Sequence, residues 1–589
     1  MFLKHSICGL TAVACATALT PARSESLREF DHIVVIYQEN HSFDNLFGLW
    51  GAVNGEPVQG LPFADPAHSK QVRADGTTAY SCLLQNDVNL TSPSPLATSC
   101  TDTTGATPFV SAFPDKPFEI DNVIAATDKT CPAPGVSASN GLLKNSAGAL
   151  TGGCTRDLVH RFYSEQFQIN GGKQNRYVTG SDAAGLSMGY YDTTKLPIYV
   201  ALHKHGAPHY VIADHFFQSA FGGSFLNHQW LVAATTPAFA NALNDASGND
   251  LHSVVDANGM ATGTPLYTSP LGSSAKDAQL TASCNPPSGR PATPANVVCG
   301  DFAINTIQPS YQPYAPGTAN AKRLPPLENP TIGDRLSARG VDWAWYSGGW
   351  SNANGDVGAA GWTNGAGPNC ADANAMATAT YPNCPDKLFQ FHHQPFNYFK
   401  AYAPGTAARA AHLRDEAEFV RAANTGRLKP VSFVKLIGAE NEHPGYASEP
   451  GGSTHLVDLI ASIVNGPDGR DTLIIVTYDE FGGSWDHVPP PPYQNERVAE
   501  WDHHHGHDHD HDHDHDHHAG GGAHDRWGPG TRIPTLLISK RFDRSGVDHA
   551  NYDTTSILKL IEERYHLAPL ASRDAEVHSL ARALESAER

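Results

Sequence analysis

Five segments of the chain share one pattern, a short and nearly unbroken apolar run that gives way to polar residues. They are HIVVIYQEN (32–40), HYVIADHFF (209–217), SFVKLIGAEN (432–441), TLIIVTYDE (472–480) and PTLLISK (534–540). Apolar runs of this length without alternation predict strands buried on both faces. Other segments carry apolar residues at helical spacing: TIGDRLSARG (331–340), STHLVDLIASIVNG (453–466) and TTSILKLIEERYH (554–566). The first starts on a Thr cap and stops at Gly, and the second stops at Asn-Gly. Buried strands alternating with helices predict an α/β fold with a parallel sheet covered on both faces. In such sheets ligands bind beyond the carboxyl ends of the strands.

Three stretches break the pattern: 51–155, 236–330 and 350–385, rich in Gly, Pro, Ala, Ser, Thr and Asn. They hold Cys82, Cys100, Cys131, Cys154, Cys284, Cys299, Cys370 and Cys384. Loops this long need bracing, and disulfides between sequential neighbours are expected. No C-x-x-C occurs, which argues against a zinc-cysteine site. The start, MFLKHSICGLTAVACATALTPA, has Lys4, an apolar run and then small residues. It reads as a secretory signal peptide over 1–22. Residues 23–589 then form one large domain with no further apolar run able to span a bilayer. An exported protein, periplasmic or secreted, is expected.

Composition narrows this further. With 40 % hydrophobic and 17 % charged residues, the 589-residue chain is globular. A net charge of −20 disfavours a protein that grips nucleic-acid backbones.

The chemistry collects where two strands end. One runs into Glu39 and Asn40, the other into Asp479 and Glu480. Side by side, they would crowd three carboxylates and an amide together, and like charges cannot share a dry site uncompensated. One divalent ion is the obvious compensator; oxygen donors suit Ca, Mg, Mn or Zn. Gly482 and Gly483 permit close backbone approach to a ligand. The segment DHHHGHDHDHDHDHDHHAGGGAH (502–524) has ten histidines between 503 and 518. It cannot build a core. It is either a multivalent trap for zinc, copper or nickel or a tolerated low-complexity insertion.

Several of these segments together resemble a bacterial phosphoesterase family that contains acid phosphatases and phospholipases C. ENHSFDNLFG (39–48) resembles its first signature, with His41 where Arg is usual near the entrance. YDEFGGSWDHVPPP (478–491) resembles the second, and GPGTRIPTLLIS (528–539) the strand that follows. ENEHPG (440–445), MGYYD (188–192), FHHQPFNYF (391–399) and HFFQSAFGGSFLNHQWL (215–231) are also similar to its members.

The resemblance implies an alkaline phosphatase-like α/β/α sandwich and phosphoester hydrolysis at a metal site by a hydroxyl nucleophile. Ser224 falls at the nucleophile position. The implied metal ligands are Glu39, Asn40, Asp479, Glu480 and the Ser224 oxygen. Asn227, His160, His392, His393 and His443 are implied phosphate contacts. Read alone, Asn227 serves equally as a helix cap, and one histidine may protonate the leaving oxygen.

Apart from Arg532 in GPGTRIPTLLIS, the matched motifs carry no Lys or Arg, so metal and protonated histidines would supply positive charge, predicting an acid optimum. Serine at 224 leans toward the phosphatases, since the phospholipase C branch typically has Thr. Small phosphate monoesters are therefore the expected substrates. Phospholipid head groups are the alternative, and an exported metal-binding protein with an inactive core is the second alternative.

Overall fold

The computed structural model describes residues 27–73, 75–83, 97–122, 157–181, 184–237, 303–304, 308–314, 318, 323–365, 389–444, 447, 449–494 and 523–588. The leader over 1–22, six of the eight remaining cysteines and residues 502–522 of the His/Asp-rich insertion lie outside them. Cys82 and Cys100, sequential neighbours, form a disulfide.

At the centre is an eight-stranded sheet. Its strands are β1 (His32–Gln38), β2 (His209–Ala213), β3 (Trp343–Ser347) and β4 (Leu413–Asp415). They continue as β5 (Val431–Lys435), β6 (Thr472–Tyr478), β7 (Thr535–Ser539) and β8 (Gly546–Asp548). The order across the sheet is β4-β3-β5-β1-β6-β7-β2-β8. β7 runs antiparallel to β6 and β2, and the other pairings are parallel. The fold is thus α/β around a mostly parallel sheet. PTLLISK pairs against its neighbours' direction because nothing in a short apolar run encodes polarity.

The segment DWAWYSGGW supplies β3, and its Trp343, Trp345 and Trp350 are buried in the core rather than lining an opening. Every residue of β5, β6 and β7 is buried, which is why these strands read as unbroken apolar runs.

Five helices matter below: α1 (Ser224–Ala233), α2 (Ile332–Ala338), α3 (Glu416–Thr425), α4 (Glu449–Asn465) and α5 (Thr555–Tyr565). α1 packs on α2 and α5, while α3 packs on α4. α2 opens on a reciprocal cap, Thr331 with Asp334.

β1 is the strand that positions the site. It lies between β5 and β6, with Tyr37 opposite Lys435 and Gln38 opposite Tyr478. Side chains two apart share a face, so Glu39 follows Tyr37 toward Lys435. The ladder carries on past the strands: the Asp479 N–H bonds to Gln38 O at 3.1 Å and the Glu39 N–H to Asn441 O at 3.0 Å. Two acidic strand ends 440 residues apart in sequence are thereby fixed as neighbours.

Candidate metal centre and nucleophile

Beyond the carboxyl ends of β1, β5 and β6, Glu39, Asn40, Asp479 and Glu480 are all wholly or almost wholly buried. The Asn40 N–H donates to Asp479 Oδ1 at 3.2 Å. Glu39 Oε2 accepts the Ser224 hydroxyl at 3.2 Å. Glu480 Oε2 accepts the Gly482 N–H at 2.6 Å, and its Oε1 lies 3.5 Å from His160 Nε2. The predicted convergence of the two strand ends on Ser224 is therefore present as geometry.

Ser224 is the first residue of α1, where unpaired N–H groups and the helix dipole favour negative charge. The loop before it is tightly braced. A Cβ on Gly222, which has φ +96°, would come 2.8 Å from the Phe162 nitrogen. Buried Glu165 accepts from the Gly222 N–H at 2.6 Å and from Gln218 Nε2 at 2.9 Å. Asn227 Nδ2 donates to Ala220 O at 3.0 Å and Gly222 O at 3.2 Å, and its Oδ1 accepts the Ala220 N–H at 3.0 Å. Both ends of this amide are engaged, so Asn227 holds the loop instead of facing a ligand.

The histidines divide. His393 Nε2 lies 3.1 Å from Glu39 Oε1. His443 Nε2 accepts from Asn40 Nδ2 at 2.8 Å while Nδ1 bonds to Pro444 O at 2.7 Å, so His443 orients Asn40. His160 and His392 keep the most solvent exposure of the set.

Burial pushes His392, His393 and His443 below the usual imidazole range, helped by Lys435 and by one another. They are held neutral. The expected source of positive charge, protonated histidine, is thus replaced: Lys435, fully buried on β5, contacts Glu39 Oε1 and donates to Gln38 O at 3.2 Å. The sequence signal for it was a lone charge inside SFVKLIG.

His228 was also missed. One turn beyond Ser224, it donates from Nδ1 to Ser224 O at 2.7 Å, stacks on His393 at 5.0 Å and lies 3.8 Å from Asp479 Oδ2. Its helical spacing from Ser224 was the available clue. Glu165 had no local signal.

Two other expectations change. Gly482 and Gly483 have φ of +62° and +75°, but what approaches them is protein. A Cβ would come 2.2 Å from Asn40 O at the first and 2.7 Å from the Leu158 side chain at the second. His41 is not at an entrance either; it is buried, bonded through Nδ1 to Asn45 Oδ1 at 2.5 Å.

The donor set fits a metal ion. Burial and the neighbouring charge of Asp479 raise Glu39 well above the carboxylate range, against Lys435. Burial likewise raises Asp479, and burial together with Asp479 raises Glu480. Asn40 Oδ1, Asp479 Oδ2, Glu480 Oε1 and His228 Nε2 are buried without a hydrogen-bond partner among the described residues. Ligand atoms of Glu39, His228 and Asp479 lie within 4.8 Å of one another. A divalent cation satisfies orphaned oxygens and removes the repulsion that burial imposes.

Fold and site together define an α/β protein with a candidate metal centre and an adjoining serine at the strand ends. The chain belongs to the Phosphoesterase family, whose model matches residues 120–568. Glu39 and Asn40 precede that span and join it through the pairing of β1. Among curated proteins, the chain is similar to Phospholipase C B of Mycobacterium tuberculosis, 31 % identical over 153 residues, 25 % of this chain and 27 % of that protein. It is also similar to the Non-hemolytic phospholipase C of Burkholderia pseudomallei, 28 % identical over 146 residues, 24 % of this chain and 19 % of that one. The chain covers 27 % and 19 % of the length of these two relatives.

Proposed function

We propose that this chain is an exported phosphate monoesterase of the acid phosphatase branch, built on an alkaline phosphatase-like α/β/α sandwich and using Ser224 as nucleophile. The observation that carries the reading is the Ser224 hydroxyl bonded to Glu39 inside the buried carboxylate cluster. Glu39, Asn40, Asp479, Glu480 and Ser224 would hold one divalent ion, with His228 beside them. Such an ion supplies a lowered serine pKa and a counter-charge for the phosphoryl oxygens.

The chain's own residues do the rest. Glu39 Oε2 accepts the Ser224 proton. Oγ attacks phosphorus in line with the leaving oxygen, forming a phosphoserine. Lys435 and the start of α1 offset the negative charge. His160, an imidazole that keeps some solvent exposure beside Glu480, protonates the leaving oxygen, and water then hydrolyses the phosphoserine. Glu165 and Asn227 hold Oγ in place.

Phospholipase C activity is the second reading, favoured by the names of the relatives. It differs in the bond cleaved and not in the machinery.

The test compares wild type with Ser224→Ala on an aryl phosphate monoester and on phosphatidylcholine, before and after chelation. Turnover should fall at least about 10³-fold in the variant, and an acid-quenched reaction should show phosphate on the peptide containing Ser224. A variant within tenfold of wild type overturns the nucleophile. Faster turnover of phosphatidylcholine would favour the phospholipase reading.

A further inference from the structure

A second group of buried donors begins at His41, the residue after Asn40. His41, Glu442 and Glu449 are 1 %, 1 % and 5 % exposed. One ligand atom from each lies within 4.8 Å of the others. His41 Nε2 is 3.4 Å from Glu449 Oε2 and 3.1 Å from the Glu442 backbone carbonyl.

The hydrogen bonds leave this group unsatisfied. Asn45 donates its Nδ2 to Gly189 O at 2.7 Å, so its Oδ1 is an acceptor and His41 Nδ1 carries the proton. A neutral His41 then turns the Nε2 lone pair toward two further acceptors, which is repulsive unless something positive lies between. Both carboxylate oxygens of Glu449 and Oε1 of Glu442 are buried without a hydrogen-bond partner among the described residues. Gln38 approaches Glu442 without completing a bond. Among the described residues only Tyr478, donating its hydroxyl to Glu442 Oε2, hydrogen-bonds to the side chains of this pair of acids. Burial holds both acids up. Among the described residues no Lys or Arg is in contact with these two carboxylates.

We infer that His41 Nε2, Glu442 and Glu449 form a second, structural site for a divalent cation. One neutral imidazole and two carboxylates balance a double positive charge. The mixed nitrogen and oxygen set suits an ion of the zinc or manganese class better than calcium or magnesium. The 3.4 Å between His41 Nε2 and Glu449 Oε2 matches the separation of two ligands on a tetrahedral zinc, roughly 3.3 Å from bond lengths near 2.0–2.1 Å. Tyr478 and Asn45 are the outer hydrogen bonds that fix ligand orientation. His41 follows Asn40, Glu442 precedes His443 and Tyr478 precedes Asp479, so this ion would lock the three turns that present the candidate centre.

The site does not depend on the proposed phosphatase activity. Its test is metal content of the full chain loaded with Zn²⁺, after a buffered chelator has stripped weakly held metal, including any on the His/Asp run. Wild type, His41→Arg, Glu449→Gln and Asp479→Asn are compared, with Co²⁺-loaded samples for absorption spectra. Arg at 41 supplies a fixed cation to both acids and should preserve the fold even if Glu449→Gln does not. His41→Arg should hold one ion fewer than wild type and lose one component of the Co²⁺ spectrum, while Asp479→Asn keeps that component. Equal metal content and spectra in wild type and His41→Arg would overturn the site.

Discussion

At the scale of single residues, the balance of the candidate centre rests on Lys435. It is the only lysine or arginine among the described residues found in contact with the buried acids at the strand ends. Glu39 and Lys435 are both 0 % exposed, so neither can borrow water if the other is removed. Breaking a buried pair by deleting one partner typically destabilises by about 3–5 kcal/mol, because a charge is left uncompensated. Lys435→Met should therefore lower the unfolding free energy of chelated protein by about that amount. Excess Zn²⁺ or Mn²⁺ should recover part of the loss, since the ion would then compensate Glu39. Urea unfolding with and without metal measures both. An undiminished stability in chelator would mean that Glu39 carries a proton and the pair is not ionic.

At the scale of elements, the start of α1 shows what was legible in the sequence and what was not. The five apolar runs could be read as strands because burial on both faces leaves a one-dimensional trace. The convergence of ENH and YDE could be read too, since acids at the ends of buried strands have few structural uses. Asn227 could not be assigned, because a side-chain amide serves a ligand or a loop equally well and only the partners decide. Here its partners are the backbone of Ala220, Gly222 and Gly223. His228 and Lys435 were hidden for a related reason: each belongs to the site through contacts across the fold, not through a local motif. The loop role makes a prediction. Asn227→Asp replaces a donor by a carboxylate facing three carbonyls. It should cost about 1–3 kcal/mol of stability. By misplacing Ser224 it should also lower kcat by about 10²-fold with little change in KM. A rise in KM at constant kcat would instead place Asn227 against the substrate.

At the scale of the whole molecule, the sheet must keep its far edge closed for β1 and β6 to stay in register. That edge is β2 with β8, and a pair of side chains just past their ends clasps it. His549 Nδ1 lies 2.9 Å from Asp214 Oδ1 and Nε2 3.1 Å from Glu56 Oε1, while Asp214 also accepts the Gln59 N–H at 2.8 Å. The hydrogen bond to Asp214 raises His549 to about 9. Burial opposes ionisation of Asp214, but its bond to His549 and the charges of His215 and His549 win, and its pKa falls below the usual value.

The signs follow directly. A histidine whose folded pKa lies above its unfolded value of about 6.5 stabilises fully below that pH, and the contribution fades as pH rises through about 9. The depressed aspartate stabilises above about pH 4 and is lost only as pH falls below that. The clasp is thus complete between about pH 4 and 6.5. Comparing the melting midpoints of wild type and His549→Asn across pH tests this. The gap should be widest near pH 5–6 and should close above about pH 9. A gap that stays constant through pH 9.5 would show that His549 contributes by packing alone, and the edge of the sheet would then be insensitive to protonation.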